Sequence, residues 1–200
     1  MADNTYKLID SGYFQKLEQV GPYRFVRPSA QAVWRPRLPK DQWRCDARFE
    51  RFSGGDGKWT FHKKIPDDFV IDVGNASLKI KLTDFGHLGI FPEQRSNWDK
   101  LHNMISESSA NGEVRVLNLF AYTGGSTLAA ASGGAHLVHL DASKTSVAWA
   151  RENADASGFT DKPIRWIVDD VNKFVAREAK RGNTYHGIIL DPPSFGRGDR

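Results

Sequence analysis

Val114-Arg-Val-Leu-Asn-Leu-Phe120, running directly into Ala121-Tyr-Thr-Gly-Gly-Ser-Thr127, is an apolar run that stops at a pair of glycines. The run has the length of a buried strand, and the glycines let backbone turn sharply and approach a ligand closely at a helix N-terminus. Further strands are predicted at His136 to Leu140, Ile164 to Val168 and Tyr185 to Leu190. Helices are predicted between them at Ser126 to Ser132, Ser143 to Ala156 and Val171 to Arg181, with Gly133-Gly134, Gly158 and Gly182 as stops. Strand and helix alternating through connections this short predict an α/β fold, a Rossmann-like doubly wound parallel sheet.

Upstream the pattern changes. Residues 1–82 show short strands and turns without a sustained helical period, which predicts a small β-rich N-terminal unit. Cys45 to Phe52 and Lys58 to Ile65 flank Ser53-Gly-Gly-Asp-Gly57, and Phe69 to Val73 with Ser77 to Leu82 flank Gly74-Asn75-Ala76; both are hairpin patterns. Residues 83–112 form a connecting segment in which Trp98, Leu101, His102, Met104 and Ile105 have helical spacing, ended by Asn111-Gly112. Residues 113–200 carry the alternating pattern.

The composition, 40% hydrophobic and 26% charged over 200 residues, is that of an ordinary globular chain. No apolar stretch approaches a membrane span and the N-terminus lacks a signal-peptide pattern, so a cytoplasmic protein is expected. The single cysteine, Cys45, excludes an intrachain disulfide framework and a multi-cysteine metal site, and no metal is expected. The net charge of +4 is unevenly spread: from Arg24 to Arg51 eight basic residues face three acids, with Phe25, Trp34, Trp43, Phe49 and Phe52 interleaved. Arginines hold phosphates and aromatic rings stack on unpaired bases, so this segment is a candidate RNA surface. The alternative is a solvated basic edge with core aromatics.

In an open α/β sheet, ligands bind beyond the carboxyl ends of the strands. Asp141 ends the second strand, Asp169-Asp170 the third, and Asp191-Pro-Pro-Ser-Phe195 follows the fourth. Asp141 can accept the hydroxyls of a ribose or simply begin the next helix; Asp170 can accept from an adenine amino group, cap the helix at Val171, or do both. The Gly124-Gly125 pair is either a ligand-approaching loop or only a tight turn. Pro192 and Pro193 remove two ladder donors, so the fourth strand must stop there. The residues before each proline are biased to extended backbone, which leaves a carboxylate, free carbonyls and Phe195 on one rim. That rim suits a flat amine or base, although Asp-Pro-Pro can also be only a strand-ending turn. Tyr122 to Ala129 lacks the Gly-x-Gly-x-x-Gly spacing of a nicotinamide site. A looser glycine loop with acids for ribose and adenine suits the phosphate-free sulfonium cofactor S-adenosylmethionine better.

These residues resemble the class I S-adenosylmethionine-dependent methyltransferases, and more narrowly the group related to the large-subunit ribosomal-RNA cytosine-5 methyltransferases. Val116-Leu-Asn-Leu-Phe-Ala-Tyr-Thr-Gly-Gly125 is similar to the group's motif I. Asp141-Ala-Ser-Lys144 with Ala148-Trp-Ala-Arg-Glu-Asn153 is similar to its second-strand acid and following helix. Asp170-Val171 and Asp191-Pro-Pro-Ser-Phe195 match the next two motifs, and His87-Leu-Gly-Ile-Phe-Pro-Glu-Gln-Arg95 resembles the segment over the cofactor. The resemblance runs from about Gly86 to Gly198. It implies that Phe120, Ala121, Tyr122, Thr123, Gly124 and Gly125 hold the methionine part of the cofactor. It further implies that Asp141, with Ala142 beside it, holds the ribose and that Asp170 and Val171 hold the adenine. Gln94 or Arg95 would close the pocket, and Asp191, Pro192, Ser194 and Phe195 would receive the acceptor. The sequence departs from the group in lacking the full motif I glycine triplet and in having Pro92-Glu93 before Gln-Arg.

Carbon-5 methylation needs a nucleophile, which in the resembled group is a cysteine. Position 194 is Ser, no local histidine base accompanies it, and Cys45 lies in the β-rich unit, where a small, partly buried hydrophobe is expected. The resemblance implies a class I sheet of seven strands, of which four are read here in the order 3-2-1-4, so the fourth would be an apolar edge needing cover. A longer polypeptide is the expectation. The function expected is methylation of a base in RNA, ribosomal RNA favoured. The alternatives are transfer to a protein amine or small planar substrate, or a noncatalytic RNA-binding or cofactor-sensing module.

Overall fold

Two-residue periodicity in the first part of the chain produces a five-stranded sheet. The computed structural model describes residues 5–52 and 57–193. Its backbone divides into one unit formed by Met1–Val73 with Leu78–Pro92 and a second formed by Gly74–Ser77 with Glu93–Arg200. In the first unit, β1 (Tyr6–Gly12), β2 (Gln15–Val20), β3 (Tyr23–Pro28), β4 (Ala47–Arg51) and β5 (Gly57–Phe61) lie side by side in that order. All neighbours are antiparallel except β3 and β4, which run parallel and are joined by the long crossover of residues 29–46. The predicted hairpin across Ser53 is borne out as the β4–β5 pairing, although residues 53–56 lie outside those described. β6 (Asp68–Val73) pairs with β7 (Ala76–Lys81) around Gly74, whose φ of 64° is one an L side chain rarely adopts.

The core of this unit is Leu17, Val20, Phe25, Val26, Ala47, Phe49, Ile71, Ile80 and Leu88, all nearly or fully buried. It also encloses charge. Glu18 accepts from Arg27 Nε, from Lys16 Nζ at 3.2 Å and from Tyr6 Oη at 3.1 Å, while Arg27 donates onward to the Gly86 carbonyl at 2.7 Å. Burial alone would raise the Glu18 pKa, but the charges and hydrogen bonds of Arg27 and Lys16 bring it below the ordinary carboxylate value. The pair is therefore ionised inside the sheet.

The second unit carries the predicted alternation. α1 (Arg95–Ser109) precedes β8 (Arg115–Leu119), α2 (Gly125–Ser132), β9 (His136–Asp141), α3 (Lys144–Ala156), β10 (Ile164–Val168), α4 (Val171–Lys180) and β11 (Gly187–Leu190). The strands are parallel in the order β10-β9-β8-β11, which is the predicted 3-2-1-4. On one face Val116 and Leu137 pack with Ile105, Ala130, Ala131 and Ala135; on the other Leu117, Leu119, Val138 and Leu140 pack with Val171 and Phe174 of α4. Among the described residues β11, like β10, is an edge strand, and Ile188 and Leu190 remain 63% and 61% exposed. Among the described residues no helix is long and apolar enough to cross a membrane.

Candidate functional site

Parallel register brings the carboxyl ends of the second unit's strands to one level. Leu119 lies opposite Leu140 and Leu190, and Val168 lies opposite Asp141. Four ends at the usual strand spacing make an edge about 14 Å across. Onto it project the loop after β8, Asp141 at the end of β9, Asp169 and Asp170 after β10, and Asp191 to Pro193 after β11.

The loop after β8 is built by alternating backbone. Phe120, Tyr122 and Gly124 have φ of 55°, 50° and 90°. Left-handed residues interleaved with ordinary ones turn successive peptide groups toward a common concavity, a shape suited to anionic or polar ligands. A non-glycine residue there costs on the order of 1 kcal/mol or more, so the surroundings must enforce it. They do so with hydrogen bonds. Ala121 N–H donates to the Leu140 carbonyl at 3.1 Å, Tyr122 N–H to Asp141 Oδ2 at 2.8 Å, and Gly124 N–H to the Ala121 carbonyl at 3.0 Å. Asn153 Nδ2 of α3 donates to the Thr123 carbonyl at 2.8 Å. The Tyr122 ring lies against Trp149, 6.5 Å between centroids. From α1, Trp98 donates to Ser126 Oγ at 3.0 Å and sits so close that a Cβ on Gly125 would lie 2.4 Å from its Cζ2. Glycine at 125 is thus required by packing.

Beneath this loop lies a polar thread within the core. Asn118 Nδ2 donates to Thr127 Oγ1 at 2.8 Å, and Thr127 Oγ1 is 2.9 Å from His139 Nδ1. The threonine hydroxyl thus bridges the Asn118 amide and the imidazole, accepting from the one and sharing a hydrogen bond with the other. Burial pushes the His139 pKa down to about 3; a hydrogen-bonding contact with the Tyr122 backbone opposes this and the charge of Arg151 adds to it. The imidazole is neutral and structural.

Asp141 does more than begin a helix. Its Oδ2 holds the β8 loop through Tyr122, its Oδ1 accepts from Ser143 N–H at 2.8 Å, and Ser143 is the actual N-cap of α3. Each oxygen retains a lone pair for a further donor. Ala142 beside it is exposed. Asp170 is the N-cap of α4, Oδ1 accepting from Lys173 N–H at 2.9 Å, and Val171 is buried behind it. Asp169 accepts from Asp170 N–H at 2.8 Å and pairs with Arg177, whose hydrogen bond holds its carboxyl below the usual range.

Asp191, Pro192 and Pro193 lie exposed beyond the end of β11, while Ser194 and Phe195 fall outside the described residues. Gln94 stands at the N-cap of α1 and accepts from Asn97 Nδ2 at 2.7 Å, and Arg95 pairs with Asp99 at 3.0 Å on the same helix. Both side chains are engaged at the start of α1.

The basic segment Arg24 to Arg51 requires a correction. Phe25, Trp43 and Phe49 are core residues, 0%, 4% and 1% exposed: Phe25 on β3 and Phe49 on β4 each lie against Trp59, and Trp43, in the crossover, packs with Leu17 and Val26. Only Trp34 and Phe52 of the five aromatics are exposed. Cys45 packs with Leu17, Val26 and Trp43, and burial pushes its thiol pKa up, as befits a small hydrophobe.

The model of the family described as S-adenosylmethionine-dependent methyltransferase matches residues 70–200. A solved S-adenosylmethionine-dependent methyltransferase from Agrobacterium tumefaciens superposes with a TM-score of 0.90 at 44% identity, over 98% of this chain and 62% of that one. Among curated proteins, ribosomal RNA large subunit methyltransferase I of Aeromonas salmonicida is 31% identical over 136 residues, 67% of this chain and 33% of the relative. Ribosomal RNA large subunit methyltransferase K/L of Pseudomonas aeruginosa is 32% identical over 147 residues, 72% of this chain and 19% of the relative. The chain spans about a third or less of the length of these curated relatives. The strand order, the glycine loop enforced at the end of β8 and a family match over residues 70–200 converge on one assignment: this chain belongs to the S-adenosylmethionine-dependent methyltransferases.

Proposed function

We propose that the carboxyl edge of β8 to β11 holds S-adenosylmethionine and that the protein methylates a base in RNA, with ribosomal RNA as the favoured target. The observation that carries this reading is Asp141, which ties the glycine loop to the start of α3 and still has acceptor capacity on both oxygens. Those acceptors fit the two hydroxyls of a ribose. The concavity of Phe120 to Gly125 fits the polar amino-acid end of the cofactor, and Asp170 Oδ2, left over from capping α4, fits the adenine amino group. Bound there, the cofactor supplies an electrophilic methyl group on sulfur. The residues of this chain bind and orient; Asp191 and the carbonyls before each proline offer acceptors to a planar base, with Ser194 and Phe195 next in sequence.

The RNA target rests on relatives named for ribosomal RNA and on the basic excess of the first unit. It accords with a cytoplasmic protein. The test is incubation with methyl-labelled cofactor in the presence of total RNA and of protein. The expected outcome is ribonuclease-sensitive label. Label retained in protein or in a small molecule contradicts the RNA target, and cofactor binding without any transfer favours the noncatalytic module.

A further inference from the structure

The β1–β2 hairpin of the first unit turns on an unusual pair. Gly12 is paired with Gln15, so the loop has two residues, Tyr13 and Phe14, with φ of 48° and 61°. Two successive positive φ values are the type I′ requirement, normally met by Asn-Gly because aromatic side chains resist that conformation. The crossover segment enforces it. Tyr13 N–H donates to the Trp34 carbonyl at 2.9 Å, Phe14 N–H to the Ala32 carbonyl at 2.7 Å, Ser29 N–H to the Phe14 carbonyl at 2.8 Å, and the Trp34 indole to the Ser11 carbonyl at 2.9 Å. Gly12 permits this close strap, since a Cβ there would lie 2.5 Å from Pro36 N. The effort does not bury the rings. Tyr13, Phe14 and Trp34 are 51%, 59% and 53% exposed.

The exposed charge along the same stretch of chain is basic. From Ser11 to Lys40 the only acid is Glu18, which is fully buried and paired. Arg35 and Arg37 follow Trp34 in sequence and are exposed, the Arg37 side chain to 84% although its Nε lies 3.9 Å from the buried carboxylate of Asp10 and its Nη2 donates to the Ile9 carbonyl at 3.2 Å. Rigid rings displayed to solvent beside exposed guanidinium groups match the two halves of a single-stranded nucleic acid, flat bases and phosphates. A docked protein would have no such need for uniform positive charge.

We propose that Tyr13, Phe14 and Trp34 form a base-stacking platform for single-stranded RNA, with Arg35 and Arg37 holding its phosphates. The proposal rests on the RNA reading above and gives it a specific contact surface. The test replaces Tyr13→Asn together with Phe14→Gly in the full chain, which removes both rings and installs the residues that this turn prefers. Anisotropy of a labelled single-stranded RNA of mixed sequence should show affinity falling by about tenfold to a hundredfold. Binding of the same strand annealed to its complement should change little, and the thermal midpoint should not fall. Arg35→Ala with Arg37→Ala should instead flatten the salt dependence. Unchanged single-strand affinity in the ring-less variant, or an equal loss on the duplex, overturns the platform and leaves the RNA reading standing. A wild-type chain without affinity for any RNA overturns both, and capture of a protein in place of RNA overturns both as well.

Discussion

The two units solve one backbone problem in opposite ways. Among the described residues the non-glycine positions with positive φ are Tyr13, Phe14, Phe120 and Tyr122, two in each unit and all aromatic. At the end of β8 the rings are half-buried: Phe120 packs against the α4 face of the core and Tyr122 against Trp149, so the strained backbone is what the loop presents. At the β1–β2 tip the backbone is strapped down and the rings are what is presented. Anchored rings leave a cradle of peptide groups for a small ligand, whereas displayed rings offer flat surface to bases. The buried polar groups differ as well, an ionised Glu18–Arg27 pair in one unit and a neutral His139 in the other.

Each contrast can be broken experimentally. The largest effect is expected from Arg27→Ala, which leaves Glu18 buried without its main partner and should cost about 3–5 kcal/mol in denaturant unfolding of the first unit. Gly125→Ala drives a methyl into Trp98 and should cost the second unit about 1–3 kcal/mol, read as a lowered urea midpoint. pH separates the units next. His139 sits near 3 when folded against an ordinary 6.5, so the unfolded chain takes up the proton first. Its contribution is complete above pH 6.5 and is lost on acidification, by about 1.4 kcal/mol per pH unit. Glu18, held below its ordinary 4.5, contributes fully above that value and loses only at more acid pH. Amide exchange corrected for intrinsic rates should therefore show β9 losing protection between pH 7 and 5 while β3 keeps its own. The smallest effect has opposite signs in the two loops. Phe14→Gly relieves strain at an exposed ring and should stabilise by about 0.5 kcal/mol, the left-handed cost less the entropy of glycine. Phe120→Gly forfeits core packing and should destabilise by about 1 kcal/mol, both measured by thermal unfolding.

Much of the second unit was legible because its information is local. Periodicity, glycine stops and prolines located β8 to β11 to within a few residues, and the family resemblance implied their order. The acids at the strand ends were legible for the same reason. What holds them was not: Asp141 reaches Tyr122 across 19 positions and Asn153 reaches Thr123 across 30, contacts that exist only after folding. Asn118 and His139, polar residues inside apolar strands, were the visible hint of the thread below the loop. In the first unit the aromatic-rich basic segment divides into core and surface by tertiary contacts: Phe25 and Phe49 are buried on their strands, Trp43 is buried from the crossover, and Trp34 and Phe52 stay exposed. The Tyr13-Phe14 turn is not legible in the sequence because aromatics carry no turn propensity; its conformation is imposed by residues 32–34 from a distance.

The central claim is that the β8 loop and Asp141 together form the cofactor site, and titration calorimetry with S-adenosylmethionine tests it most directly. The account predicts binding to the wild-type chain, no heat with a nicotinamide dinucleotide, and affinity lowered about a hundredfold in Asp141→Ala, two charge-assisted hydrogen bonds being lost. Equal affinity in wild type and Asp141→Ala, or preference for the dinucleotide, would contradict it.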